Sequence, residues 1–303
     1  AAIQVNHLKT TFDAQTPIAI IGDTDVLKNA PYRMIAAGLG DVLGKFTCLC
    51  DWKLARIITG EHYCERIVEL VESCVKNVLS DADKAIDRDP ETLGKIMEGL
   101  VLAGVAMSLY GNSRPASGCE HHMSHYWEMM FEQAGKRPVP HGTQVGVGTV
   151  LVLKLVEHLL KADVDIVAAR AAAKRYDPAR WEKEIRTAYG PAADGVTEME
   201  AKVQKNETSA RLARIDAMEA HWNEIRALLS ELPSSEKISG VLHTLGSPCT
   251  PAEIGVDAQL LKRTFLYCKE VRARYTILQM VWDLDLLDQL SDEVIAELDR
   301  NKE

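Results

Sequence analysis

SRPASGCEHHMSHYWEM, residues 113–129, is the stretch on which the reading of this chain turns. At its centre stands Glu120-His121-His122-Met123-Ser124-His125. On a helix, residues four apart share a face, so His121 and His125 are presented together and His122 is turned elsewhere. Two imidazoles at that spacing can offer ring nitrogens to a metal or a reacting group. They can equally be the histidines of an ordinary surface or core helix. Further along, His141 sits between Pro140 and Gly142, at the expected start of the next helix. Proline fixes the chain direction and glycine admits close approach of another group. A histidine held that way suits a ligand, and it also suits a loop residue near a helix N-cap.

Upstream, Gly38-Leu39-Gly40-Asp41-Val42-Leu43-Gly44-Lys45 allows two readings of Asp41. One is an i, i+4 ion pair with Lys45, worth a few tenths of a kcal/mol. The other follows from the small apolar neighbours, which imply close helix packing. A carboxylate buried there needs a cation. A divalent metal shared with His121 and His141 would meet that need, and one Asp with two His leaves positions open for water or substrate, as catalytic zinc sites do. The pairs Gly38-Leu39-Gly40 and Gly146-Val147-Gly148 look superficially like dinucleotide-binding turns. Neither follows a predicted strand into a βαβ unit, so both are expected to be helix-packing glycines. No Walker A sequence, G-x-S-x-G elbow or H-E-x-x-H pair is present.

The rest of the chain sets the context. Its 303 residues, 47% hydrophobic and 26% charged, suffice for one or two domains with a substantial core. The net charge of -9 speaks against nucleic-acid binding, which calls for a basic patch. Seven cysteines with no C-x-x-C pair argue against a disulfide framework and for a reducing cytoplasm. No apolar run reaches the roughly 18 residues that a membrane span needs. No signal peptide is read. The first residue is not Met, so the chain is expected to begin inside a longer protein.

A hairpin is expected at the start, with Ile3 and Val5 on one face, a turn at Asn6-His7 and an extended Leu8 to Phe12. Ile18 to Ile21 reads as a short buried strand. After Asp25 the pattern is helical. Helices are expected from Ala30-Pro31 toward Lys45, over His62 to Leu79, from Asp89-Pro90, over Ala116 to Phe131, and from His141. The helix that includes Ile96 to Leu109 is apolar nearly throughout and is expected at the centre of the core. Residues 162 to 235 suggest two or three surface helices, and Leu260 to Leu290 one or two more.

Four segments carry a resemblance: DTDVLKNAPYRMIAAGLGDVLGKFTCLCDWKLA (Asp23 to Ala55), SRPASGCEHHMSHYWEM (Ser113 to Met129), HGTQVGVGT (His141 to Thr149) and VRARYTIL (Val271 to Leu278). Together they resemble the iron-containing alcohol dehydrogenase and dehydroquinate synthase superfamily, and within it the sn-glycerol-1-phosphate dehydrogenases. The resemblance implies a mainly α fold: a dehydroquinate synthase-like helical metal-binding domain preceded by a short β remnant of an α/β nucleotide-binding domain. Residues 1–28 would be that C-terminal remnant and residues 29–303 the all-α metal- and substrate-binding domain.

By the same resemblance the metal ligands would be Asp41, His121 and His141, and His125 would be the catalytic histidine near nicotinamide and substrate. Some relatives have a fourth ligand, His, where Lys45 stands. A protonated lysine is no ligand, so three protein ligands are expected, with Lys45 and, as a weaker candidate, Arg114 offering charge to a phosphorylated substrate. The implied cofactors are a divalent metal, which for this donor set means zinc, nickel or iron, and NAD or NADP. The implied reaction interconverts dihydroxyacetone phosphate and sn-glycerol 1-phosphate. The family's Gly-rich pyrophosphate-binding turn is expected upstream of residue 1, so the chain alone is expected to be inactive. The alternatives are a glycerol dehydrogenase-like polyol oxidoreductase and a catalytically silent metal-binding relative. A small phosphorylated polyol or ketose is the expected partner, with no nucleic acid and no membrane, and self-association into a homo-oligomer is kept as an expectation.

Overall fold

The computed structural model describes residues 2–5, 8–11 and 22–300. At the place of the expected hairpin, β1 (Ala2–Val5) and β2 (Leu8–Thr11) pair antiparallel, with Ala2 opposite Thr11 and Val5 opposite Leu8. The turn at Asn6-His7 and the strand expected at Ile18 to Ile21 lie outside the described residues. From Thr24 onward the described chain is helical, and the fold is mainly α.

A five-residue α1 (Thr24–Lys28) leads to α2 (Tyr32–Leu43), which opens behind Pro31. The helix expected to run toward Lys45 is divided at Gly44, and α3 (Lys45–Thr59) follows at once. Next come α4 (Glu65–Asp81) and α5 (Pro90–Tyr110), the latter capped by the Asp89 carboxylate on the Thr92 amide. A single 3-10 turn at Arg114–Ala116 then enters α6 (Cys119–Gln133). Pro140 caps the start of α7 (His141–Lys161). Proline is tolerated there because the first amides of a helix lack intrahelical partners.

The centre of the fold is α7, not α5. The side chains of α7 enter two cores at once. Val147, Leu151 and Leu155 pack with α6 and the C-terminal helices, while Val150 and Leu153 pack with α2, α4 and α5. The expectation for α5 fails because it lies along one flank, with Val105 and Leu109 exposed. An all-apolar pattern does not say which neighbours cover a helix. By length and hydropathy both α5 and α7 would reach across a bilayer, but α7 is largely enclosed by protein.

Glycine is what admits α7 to that centre. A Cβ on Gly142 would collide with the Ala37 carbonyl oxygen, and one on Gly40 with the Gly142 carbonyl oxygen. Helices α2 and α7 therefore touch backbone to backbone. A Cβ on Gly148 would lie 2.8 Å from the Glu120 carbonyl oxygen, so α6 approaches α7 equally closely. The glycine pairs serve helix packing rather than a nucleotide turn.

The polar stretch after α7 holds more helices than expected: α8 (Ile166–Lys174), α9 (Pro178–Tyr189), α10 (Ala193–Val203) and α11 (Thr208–Ser230). After α12 (Ser235–Thr244), the end of the chain is cut into α13 (Ala258–Tyr267), α14 (Ile277–Asp283) and α15 (Leu287–Arg300). Buried Trp127 of α6 ties this half together, its indole N–H donating to Thr264 Oγ1 at 2.8 Å.

Candidate metal centre

Close packing of α2, α6 and α7 brings together side chains that the sequence separates by up to a hundred residues. Asp41 lies near the end of α2, His121 and His125 share a face of α6, and His141 is the first residue of α7. Ligand atoms of Asp41, His121 and His141 all lie within 4.8 Å of one another. The His121 and His141 rings are 5.2 Å apart between centroids. Asp41 Oδ2 stands 4.0 Å from His141 Nε2. Ligands about 2.0–2.1 Å from a tetrahedral ion sit roughly 3.3 Å from one another, so only small rotations would close the set on zinc.

The protonation states fit such an ion. His121 Nδ1 is 2.7 Å from Glu120 Oε1. The Glu120 carboxylate also accepts the Gly118 amide and the Thr47 hydroxyl. Burial opposes its charge, but these donors outweigh it and hold Glu120 below the usual carboxylate range. Since an ionised carboxylate only accepts, the His121 Nδ1 carries the proton and Nε2 keeps its lone pair. Burial, reinforced by the Lys45 charge, lowers the His121 pKa, so the ring stays neutral.

Asp41 is anchored from behind. Lys45 Nζ donates to its Oδ1 at 2.6 Å and to the Ala116 carbonyl at 3.0 Å. Burial works against the Asp41 charge, yet the Lys45 ammonium beside it holds the carboxyl well below its ordinary value. Asp41 and His141 are partly exposed, at 22% and 36% of their side chains, which leaves solvent access to the point they share.

His125 sits beside the trio, its ring 5.3 Å from that of His141 with planes inclined by only 16°. One carboxylate, Glu128, reaches both rings. Its Oε2 is 3.2 Å from His125 Nδ1, and its Oε1 is 3.0 Å from His141 Nδ1. Sequence reasoning passed over Glu128. Its signal was position, three residues after His125 and seven after His121 on one helix face.

Lys45 and Arg114, the two cations expected to face a phosphorylated substrate, are both buried. Lys45 is 2% exposed and Arg114 1%. Arg114 pairs with Glu61 and donates to the Asp51 and Tyr275 carbonyls. Both cations are bound to the protein itself.

Beneath the centre, Asp51, Cys119 and Glu120 form a third group of close ligand-type atoms. Asp51 accepts the Cys119 and Ile277 amides, each at 2.6 Å, and so helps to cap α6. Burial, then the neighbouring Glu120 charge, push Asp51 up to about 7. Burial also lifts the Cys119 thiol well above its usual range, so without a metal it stays protonated. This group is a helix-capping network.

No family model matches the chain. Curated proteins do. It is 32% identical to a protein of Geobacillus stearothermophilus over 285 residues, which is 94% of this chain and 62% of that protein. It is 30% identical to one of Geobacillus thermodenitrificans over 290 residues, 95% of this chain and 63% of the relative. One of Pyrococcus horikoshii is 41% identical over 155 residues, 51% of this chain and 44% of the relative. All three are named glycerol-1-phosphate dehydrogenase, NAD(P)+. The chain thus spans less than two thirds of the length of these relatives. It is similar to the glycerol-1-phosphate dehydrogenases along nearly all of its own length and about three fifths of the Geobacillus relatives'.

Proposed function

We propose that this chain is the metal- and substrate-binding part of an NAD(P)-linked oxidoreductase that interconverts dihydroxyacetone phosphate and sn-glycerol 1-phosphate. The observation that carries the metal half of this reading is the convergence of Asp41, His121 and His141, with the His121 lone pair set by Glu120. The substrate and cofactor half rests on the relatives, since Lys45 and Arg114 are enclosed by protein. In the same reading, residues 29–303 are the all-α metal- and substrate-binding domain, and residues 1–28 are the last piece of a dinucleotide-binding domain.

Two His and one Asp suit zinc, nickel or iron(II). A metal there supplies a Lewis acid for a carbonyl or alcohol oxygen, and a nicotinamide supplies the hydride. The chain's own residues do the rest. His121 and His141 offer imidazole nitrogens. Asp41 adds one negative charge, its second oxygen held by Lys45. His125, beside His141, is placed to hand a proton to the substrate oxygen or take one from it. Helices α2, α6 and α7 fix all four side chains on rigid backbone, which keeps the reacting geometry narrow.

The test is direct. Cobalt or zinc titrated into the purified chain should bind at one site. Asp41→Ala, His121→Ala and His141→Ala should each abolish that binding, while His125→Ala should retain it. In a protein that includes the remaining length found in the relatives, glycerol 1-phosphate should reduce NAD(P)+, and His125→Ala should slow turnover by about 10²–10⁴-fold. Absence of metal binding by the unsubstituted chain would overturn the reading.

A further inference from the structure

Glu128 touches both His125 and His141, and it does so with separate oxygens. It comes from the same helix as His125 and from a different helix than His141. His141 Nδ1 also lies 3.1 Å from Ser124 Oγ. Ser124 can donate or accept, so it does not decide the tautomer of His141. Glu128 does, because an ionised carboxylate has no proton to give.

We infer that Glu128 is a positioning residue that fixes two histidine tautomers at once, holding the Nδ1–H of His141 on Oε1 and the Nδ1–H of His125 on Oε2. Both rings then keep a lone pair on Nε2. For His141 that nitrogen is the one nearest Asp41. For His125 it is the ring nitrogen that Glu128 does not engage. The near-parallel rings follow from the shared anchor. Partners of this kind raise the affinity of a histidine for metal and set its orientation. The inference rests on the metal reading above for its purpose, and on the hydrogen bonds alone for the tautomers.

Two variants separate these. Glutamine keeps the shape of Glu128 but offers one acceptor oxygen and one donor nitrogen, so it can hold only one Nδ1–H. Alanine holds neither. In the full 303-residue chain, labelled with 15N-histidine and free of metal, ring-nitrogen NMR should show His125 and His141 protonated on Nδ1. In Glu128→Gln one of the two should move to the Nε2–H form. In Glu128→Ala both should lose the fixed assignment, and zinc affinity measured by chelator competition should fall about 10–100-fold. The signals of His158, held by Glu293 and Glu297 far along α7, should not change, which marks the effect as local. Unchanged His125 and His141 tautomers in both variants, or undiminished zinc affinity in Glu128→Ala, would overturn the inference. If the unsubstituted chain bound no zinc, the metal reading would fail, and the ring spectra would still decide the role of Glu128.

Discussion

Lys45 Nζ lies 2.6 Å from Asp41 Oδ1, and this bond leaves the other carboxylate oxygen on the side of His141. One carboxylate is thereby divided between a permanent internal cation and the site where a metal is proposed. Lysine at this position compensates Asp41 when no metal is present and does not itself ligate.

Lys45→Met should therefore cost most in the metal-free protein. Breaking a buried ion pair from one side costs about 3–5 kcal/mol. Asp41 is partly exposed, so about 1–3 kcal/mol is expected here. A divalent ion would restore the missing positive charge. Zinc should raise the melting temperature of Lys45→Met by more than it raises that of the unsubstituted protein. Equal shifts would mean that Lys45 and the metal do not share Asp41.

The backbone contact between α2 and α7 predicts a second failure. Gly142→Ala pushes a methyl into the Ala37 carbonyl oxygen, and backbone cannot step aside as a side chain can. Overpacking of this kind costs about 1–3 kcal/mol, sometimes more. The helices must part, which carries Asp41 away from His141. Chemical denaturation should show the loss of stability, and metal titration should show loss of binding beyond what stability explains. Gly240→Ala, in open space on α12, is the control and should do neither.

Helical period on α6 and the Pro140–Gly142 frame made His121, His125 and His141 candidates one by one, and the family resemblance is what joined Asp41, His121 and His141 into one expected set. What covers a charge was not legible. Lys45 and Arg114 read as charges offered to a substrate, and nothing local in the sequence says that each is enclosed. Their partners, Ala116 for one and Glu61 and Tyr275 for the other, are remote in sequence. Glu128 was missed for the same reason, since one of its two histidines comes from another helix. The flank position of α5 was invisible too, because its composition gives no face to choose.

Asp51 predicts a pH dependence of stability. Its carboxyl is held at about 7 in the folded chain, against about 3.9 for an unfolded one. Between those values the folded state keeps a proton that the unfolded state has released. The stabilisation is fully present below about pH 4 and is lost as pH rises through 7, with a size on the order of a few kcal/mol. Asp51→Asn is neutral throughout and lacks this slope. It also loses one acceptor for the Cys119 or Ile277 amide, so it starts less stable. Urea midpoints should show the unsubstituted protein well ahead at pH 5 and the gap narrowing by pH 8. Parallel curves would show that Asp51 does not hold the proton.

Arg114 predicts a loss of stability without loss of the metal. Its guanidinium joins three places in the chain: Glu61 beyond the end of α3, the Asp51 carbonyl within α3, and the Tyr275 carbonyl just before α14. Lysine keeps the charge but is one bond shorter, so its ammonium stops short of the place from which Nη2 meets all three, and the Nε contact with Glu61 is lost. The carbonyls left behind are buried, and each unmet one costs about 1–3 kcal/mol. Arg114→Lys should thus lower the unfolding free energy by at least that much. The metal-site side chains stand on α2, α6 and α7, so zinc affinity at a temperature where the variant is folded should match the unsubstituted protein. In a longer protein that carries the activity, the KM for glycerol 1-phosphate should be unchanged as well. A raised KM with intact stability would return Arg114 to the substrate and refute its role as an internal tie.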